Sequence, residues 1–439
     1  MAQATFHFPR GFLWGTATAS HQVEGNNTNN NWWAWEQQPG HIWQDHKSGL
    51  ACDWWGGRWR EDFDRAAETG QNAHRLSVEW SRIQPTPDRW DEEALDRYMN
   101  MVRGLLERDI MPFVTLHHFS DPLWLVEQGG WENEAVVGKF EAFVRRVVET
   151  LKDYVSYWFT INEPNVYTTE MYLLGHFPHT HQGLGNMFRT SVNQVRAHAA
   201  AYHAIHSLQP TARVGIAQQY RSFVASTAFE KPVAGIAHHI FNDLVPRALY
   251  DGVVRLPWGR QRIPQAKGTQ DFLGLNYYTR NYVSLNPFHK KDQLFGLTFR
   301  PDAELSPTGF LANEPEGMFE AIKWGLQFKI PIIISENGVE DAEDRLRPSY
   351  LAQHLHQVWR TVDFNFPVKG YFHWTLVDNF EWERGWVQRY GLWELDPATQ
   401  ARRKRPSADF YAEICQANAL SADMVARYAP GVFLKLFPN

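Results

Sequence analysis

Cysteine is almost missing: Cys52 and Cys415 are the only two in 439 residues. Two thiols cannot build a disulfide framework, and their scarcity fits a reducing compartment. No run of about twenty apolar residues occurs, so no membrane-spanning helix and no membrane partner are expected. The opening residues Met1-Ala2-Gln3-Ala4-Thr5-Phe6-His7 lack a basic stretch followed by an apolar one. The reading is therefore a cytoplasmic protein, and the sequon Asn26-Asn27-Thr28 would matter only in a secreted one. Neither sign of charge dominates. A formal net charge of −6 is small for this length and gives no sign of a nucleic-acid partner. The basic run Arg402-Arg403-Lys404-Arg405 is short and isolated, and reads as a solvated loop. Long Gly/Ser linkers are also missing, so 1–439 is expected to be a single domain although length alone would suggest two or three. The histidines form no ordered ligand set and no glycine-rich phosphate cradle follows a strand, so neither metal nor cofactor is expected.

Tryptophan, by contrast, is abundant, at 20 residues. A bulky core would use it, and so would a sugar site, because aromatic faces stack on the apolar C–H faces of pyranose rings. Short apolar runs alternate with amphipathic stretches, the pattern of βα units. Strands are expected near 12–17, 73–77, 112–116, 158–162, 214–217, 272–276, 332–336 and 370–374. Helices are expected over 92–108, with Leu95, Met99, Val102 and Leu106 at helical spacing, and over 141–152, with Phe143, Val144, Val147, Val148 and Leu151. Eight such units suggest an α/β fold, a single (β/α)8 TIM barrel; an open doubly wound sheet has the same alternation. The polar segment 285–313 reads as a long loop near the barrel mouth. The tail after about 419 has no clear role, although Val432-Phe433-Leu434 could pack on the barrel.

Two strands end in a glutamate. Asn162-Glu163-Pro164 closes one apolar run, and Ile332-Ile333-Ile334-Ser335-Glu336-Asn337-Gly338 repeats the design. In a parallel barrel both carboxylates then lie at the C-terminal face, where barrel active sites sit. Glycoside hydrolysis needs two opposed carboxyl groups, one holding a proton for the leaving oxygen and one ionised. Either glutamate alone would more readily be a salt bridge or a cap; the pair, each beside an asparagine, points to catalysis.

Here the sequence resembles glycoside hydrolase family 1, the β-glucosidase and β-galactosidase family, over about 6–417. Phe12-Leu13-Trp14-Gly15-Thr16-Ala17 with Gln22-Val23-Glu24-Gly25 is similar to its N-terminal signature. Asn162-Glu163-Pro164 resembles the acid/base motif. Ser335-Glu336-Asn337-Gly338 resembles the nucleophile motif, with Ser where Thr is commoner, and Asp378-Asn379-Phe380-Glu381-Trp382 resembles the sugar-binding motif after the eighth strand. The resemblance implies a retaining double displacement on small β-glycosides or short oligosaccharides, with Glu336 as nucleophile and Glu163 as general acid/base. It further implies that Arg75, at the end of the second strand, and Tyr278 hold Glu336, and that Asn162 binds the sugar 2-hydroxyl beside Asn276. It implies that Gln22, His118, Glu381 and Trp382 bind the 3-, 4- and 6-hydroxyls, and that Trp374 is the platform under the ring. His117 reads as structural, and so does Glu79.

One branch of that family acts on 6-phosphoglycosides. Glu381 would repel a phosphate, and Gln388 sits where that branch carries Lys, so a neutral terminal sugar is expected: glucosyl, with galactosyl and fucosyl open. Departures from the family pattern lie mostly outside the sugar pocket. Asn165 stands where a Trp often shapes the aglycone side, Phe119 stands where Trp is common, and Gly175-His176-Phe177-Pro178-His179-Thr180-His181 is atypical. Non-catalytic descendants of such folds usually lack one of the two glutamates; this chain has both.

Overall fold

The computed structural model describes residues 4–179, 181–285 and 295–438. Eight parallel strands close on themselves: β1 (Leu13–Ala17), β2 (Ala73–Ser77), β3 (Met111–His117), β4 (Tyr157–Asn162), β5 (Arg213–Ala225), β6 (Leu273–Leu285), β7 (Ile332–Asn337) and β8 (Val368–Trp374). Each pairs with its neighbours in chain order, β8 returns to β1, and β5 pairs with β6, so the sheet has no free edge within the ring. This is a closed (β/α)8 barrel, not an open doubly wound sheet. Helices flank it: α1 (Trp59–Glu68), α2 (Glu92–Leu106), α3 (Val136–Leu151), α4 (Leu184–Leu208), α5 (Leu244–Asp251), α6 (Glu316–Gly325), α7 (Arg347–Asp363) and α8 (Pro406–Ala417).

The reasons are local. In α3, Phe140, Phe143, Val144, Val147, Val148 and Leu151 recur at three- and four-residue spacing and are all buried, which is the stripe a barrel helix needs. Helix α2 starts where the Asp91 carboxylate accepts the Ala94 N–H at 3.0 Å, an ordinary N-cap. The lower barrel is filled with rings: Phe113 lies 5.0 Å from Phe372, and Phe159 lies 5.1 Å from Phe272. The Arg75 guanidinium rests on this layer, 4.6 Å above the Phe159 ring. Polar chemistry is thereby confined to the upper, C-terminal face.

Three sequence expectations change. The long loop 285–313 is partly ordered: Phe295–Thr298 runs antiparallel against the end of β6, while 286–294 lie outside the described residues. The run 402–405 is not a solvated loop. Arg402–Lys404 pairs with Trp393–Leu395, the Arg402 side chain is buried 3.2 Å from Asp62, and Arg405 grips Asp378 with both Nη1 and Nη2 at 2.9 Å. These guanidinium groups answer buried carboxylates. The tail is built in: Ala419–Ser421 pairs with Thr5–His7, and Phe437 stacks on Phe6 at 4.7 Å. Asn418 ends α8 in a left-handed conformation, accepts the Trp14 indole N–H at 2.8 Å and donates to the Phe8 carbonyl at 2.9 Å.

Candidate active site

Glu163 and Glu336 line one open cavity at the C-terminal face, with His118, Trp374, Glu381, Trp382, Gln388 and Tyr390 around them. Several of these residues sit where the sheet breaks register. The pairing of β7 shifts after Ile334 against both β6 and β8, and that of β4 shifts before Asn162. Such irregularities re-aim a side chain beside a site. Glu163 itself opens the short helix Pro164–Thr168 with φ 40° and ψ 61°, a left-handed backbone that a non-glycine residue adopts only when its surroundings impose it. Its N–H is held at 2.6 Å by the Ala217 carbonyl. The glycine of Ser335-Glu336-Asn337-Gly338 has a steric reason: a Cβ at Gly338 would lie 2.0 Å from the Trp374 carbonyl oxygen.

The two carboxyls are held differently. Arg75 Nη1 donates to Glu336 Oε1 at 2.5 Å and the Tyr278 hydroxyl donates to Oε2 at 2.6 Å. Glu163 Oε1 accepts from the Asn276 amide at 2.9 Å. Burial pushes Glu163 well above the usual carboxylate range, and the charge of Glu336 adds to it. Burial raises Glu336 too, against the opposing charge of Arg75 and the hydrogen bonds of Tyr278 and Arg75. The proton shared by such a pair therefore resides on Glu163.

A chain of hydrogen bonds then orients the rest. Arg75 Nη2 donates to Asn162 Oδ1 at 2.6 Å, which fixes that amide, so its Nδ2 donates to His118 Nε2 at 2.9 Å. His118, held neutral by burial and by the Arg75 charge, must then carry its proton on Nδ1, which has no protein partner. Gln22 Nε2 donates to the Phe380 carbonyl at 2.9 Å and to Glu381 Oε2 at 3.1 Å, leaving Gln22 Oε1 buried and unpartnered. Among the described residues a buried donor and a buried acceptor are thus left without a protein partner; His118 lines the cavity and Gln22 lies behind Glu381, which does. Of the tryptophans, only Trp374 and Trp382 line this cavity among the described residues.

Two expectations are corrected by geometry and burial. Arg75 is the middle residue of β2, not its end. The Glu381 carboxyl is pushed up to about 8 by burial, with the charge of Glu383 adding to it. This favours the protonated form and weakens the repulsion of a phosphate that a fully charged Glu381 would give.

A family model described as glycosyl hydrolase family 1 matches residues 4–420. Beta-glucosidase A of Thermotoga maritima is 31% identical over 445 residues, covering 94% of this chain and 98% of that protein. A solved beta-glycosidase from Pyrococcus horikoshii superposes with a TM-score of 0.89 at 34% identity, covering 97% of this chain and 98% of the other. The Thermotoga maritima beta-glucosidase solved in complex with glucoimidazole gives 0.87 at 30% identity, covering 94% and 100%. The chain belongs to glycosyl hydrolase family 1. It is a β-glucosidase-like glycoside hydrolase.

The family 1 site contains residues that sequence reading did not single out. Gln219, Tyr220 and Arg221 line the cavity from β5, and Glu170, Glu383, Arg384 and Phe310 line it as well. The only signal for the first group was a polar continuation, Gln218-Gln219-Tyr220-Arg221, directly after an apolar strand. Asn165 does not line the cavity among the described residues; its amide donates to the Gln219 carbonyl at 2.9 Å, and Val166 faces the space instead. His117 is buried against Asp121 at 3.0 Å. Glu79 is buried as well and accepts from Ser20, Ser81 and Ser120.

Proposed function

We propose that the chain, acting as one catalytic unit, is a retaining exo-β-glycosidase that releases terminal non-reducing β-D-glucosyl residues, and β-D-galactosyl and β-D-fucosyl residues as well. The unequal support of the two carboxyls carries this reading. Glu336, gripped by Arg75 and Tyr278, is the ionised nucleophile, and Glu163, pushed up by burial and by Glu336, is the acid. Glu336 attacks C1 while Glu163 protonates the departing oxygen. Once Glu336 is an ester its charge is gone, the pKa of Glu163 falls, and Glu163 deprotonates the incoming water. A second sugar can replace that water, so transglycosylation accompanies hydrolysis.

The sugar sits on Trp374. Its 2-hydroxyl is met by Asn162 with Asn276 alongside, and its 3-, 4- and 6-hydroxyls by Gln22, His118, Glu381 and Trp382. Glu381 in its protonated form both donates and accepts, which suits either epimer at C4. Gln388 supplies no charge for a 6-phosphate, so the terminal sugar is neutral. The solved complex of a family relative with glucoimidazole supports a small-molecule glycoside substrate. Proton NMR of the first-formed product tests the mechanism. Retention predicts that the β-anomer of glucose appears first and mutarotates later; early α-glucose would mean inversion, for which the carboxyls must stand about 6.5–9.5 Å apart instead of about 5–5.5 Å.

A further inference from the structure

On the side of the cavity near Glu163, one cation has no ion partner in direct contact among the described residues. Glu170 is paired with His176 at 2.9 Å, and Glu383 with Arg384 at 3.2 Å. Arg221 lines the same cavity, yet among the described residues no carboxylate oxygen lies within 4.0 Å of its guanidinium. Its side chain makes one long hydrogen bond, Nη2 to Gln219 Oε1 at 3.3 Å, and rests on the face of Phe241 at 5.0 Å, while the charges of Glu170 and Glu163 act on it from farther away.

The backbone holds this residue in place. The pairing of β5 with β6 shifts register between Tyr220 and Ser222, so Arg221 occupies a bulge, as Glu336 and Asn162 lie at breaks of register. The groups that the ladder leaves unpaired are taken up by one buried side chain: the Arg221 N–H donates to Asn242 Oδ1 at 3.0 Å, and Asn242 Nδ2 donates to the Arg221 carbonyl at 2.8 Å. A bulge clamped in this way fixes where its side chain points. Val166, Phe177, Phe310 and Leu311 line the same cavity and give it apolar and aromatic walls. A partly desolvated cation with no carboxylate in direct contact, in a pocket that also has aromatic walls, favours an anion carried on a flat apolar body.

We propose that Arg221 is a specificity-determining residue of the leaving-group subsite, and that it selects aromatic aglycones bearing a carboxylate. The inference rests on the glycosidase reading above. The guanidinium fork meets the carboxylate while the ring lies against the apolar walls, which places the glycosidic oxygen toward Glu163.

The test compares kcat/KM for 3-carboxyphenyl and 3-carbamoylphenyl β-D-glucoside, which differ in charge at the same position. The ratio is measured in the native enzyme, in Arg221→Gln and in Arg221→Lys. Using the ratio cancels any loss of folded protein, and comparing proteins cancels the intrinsic difference between the two phenols. The carboxylate-to-carboxamide ratio is expected to drop about tenfold in Arg221→Gln, the scale of one charge-assisted hydrogen bond in a partly wet site. It should recover in part in Arg221→Lys, and shrink in the native enzyme as salt is raised. Equal ratios in all three proteins, with both glucosides cleaved, overturn the role of Arg221 and leave the glycosidase reading intact. Cleavage of neither glucoside by the native enzyme overturns both.

Discussion

Arg75 and Tyr278 favour the ionised form of Glu336 against the burial that raises its pKa; Arg75 is buried and bonded to Thr115 and Asn162 besides, so the hydroxyl of Tyr278 is the partner that can be removed cleanly. Tyr278→Phe deletes the hydroxyl that donates to Oε2 at 2.6 Å and little else. That bond favours the carboxylate over the acid, so without it the Glu336 pKa rises. The acidic limb of kcat/KM against pH should move to higher pH, and kcat/KM at the optimum should fall about 10–100-fold, the value of a bond to a charged group. A pH–rate profile of the variant checks both; an unmoved acidic limb would show that Tyr278 does not act on Glu336. Glu381 is the opposite case. Its identity was readable from the motif, but its protonation was not, because burial and Glu383 decide it together and neither is visible in a string of letters.

At the scale of elements, the eight strands were legible because six are short buried runs bounded by polar residues. The fifth and sixth were read too short. Their extensions to Ala225 and Leu285 carry polar and half-buried residues that no apolar pattern marks, and Arg221 lies in that stretch. The Arg402–Lys404 strand was hidden for a related reason: its cations are matched to buried carboxylates that are distant in sequence. The tail gave no pattern at all, since its strand has only three residues. That strand nonetheless buries Leu420 completely. Leu420→Ala should cost about 2–5 kcal/mol, as expected for a cavity left in a packed site. Thermal or denaturant unfolding reads it as an earlier transition, while kcat/KM of the folded fraction holds. A variant as stable as the native protein would mean that the tail is not part of the folded core.

At the scale of the molecule, the barrel, the family and the two glutamates agree along nearly the whole chain. The central claim remains the assignment of nucleophile and acid to opposite faces of the sugar. Replacing Glu336 by Gly and adding azide tests it most directly, with 4-nitrophenyl β-D-glucoside as substrate. Turnover should collapse without azide and return with it, and the product should be the α-glucosyl azide, because azide then attacks from the face that Glu336 vacates. Undiminished turnover without azide, or a β-glucosyl azide as the product, would contradict the assignment.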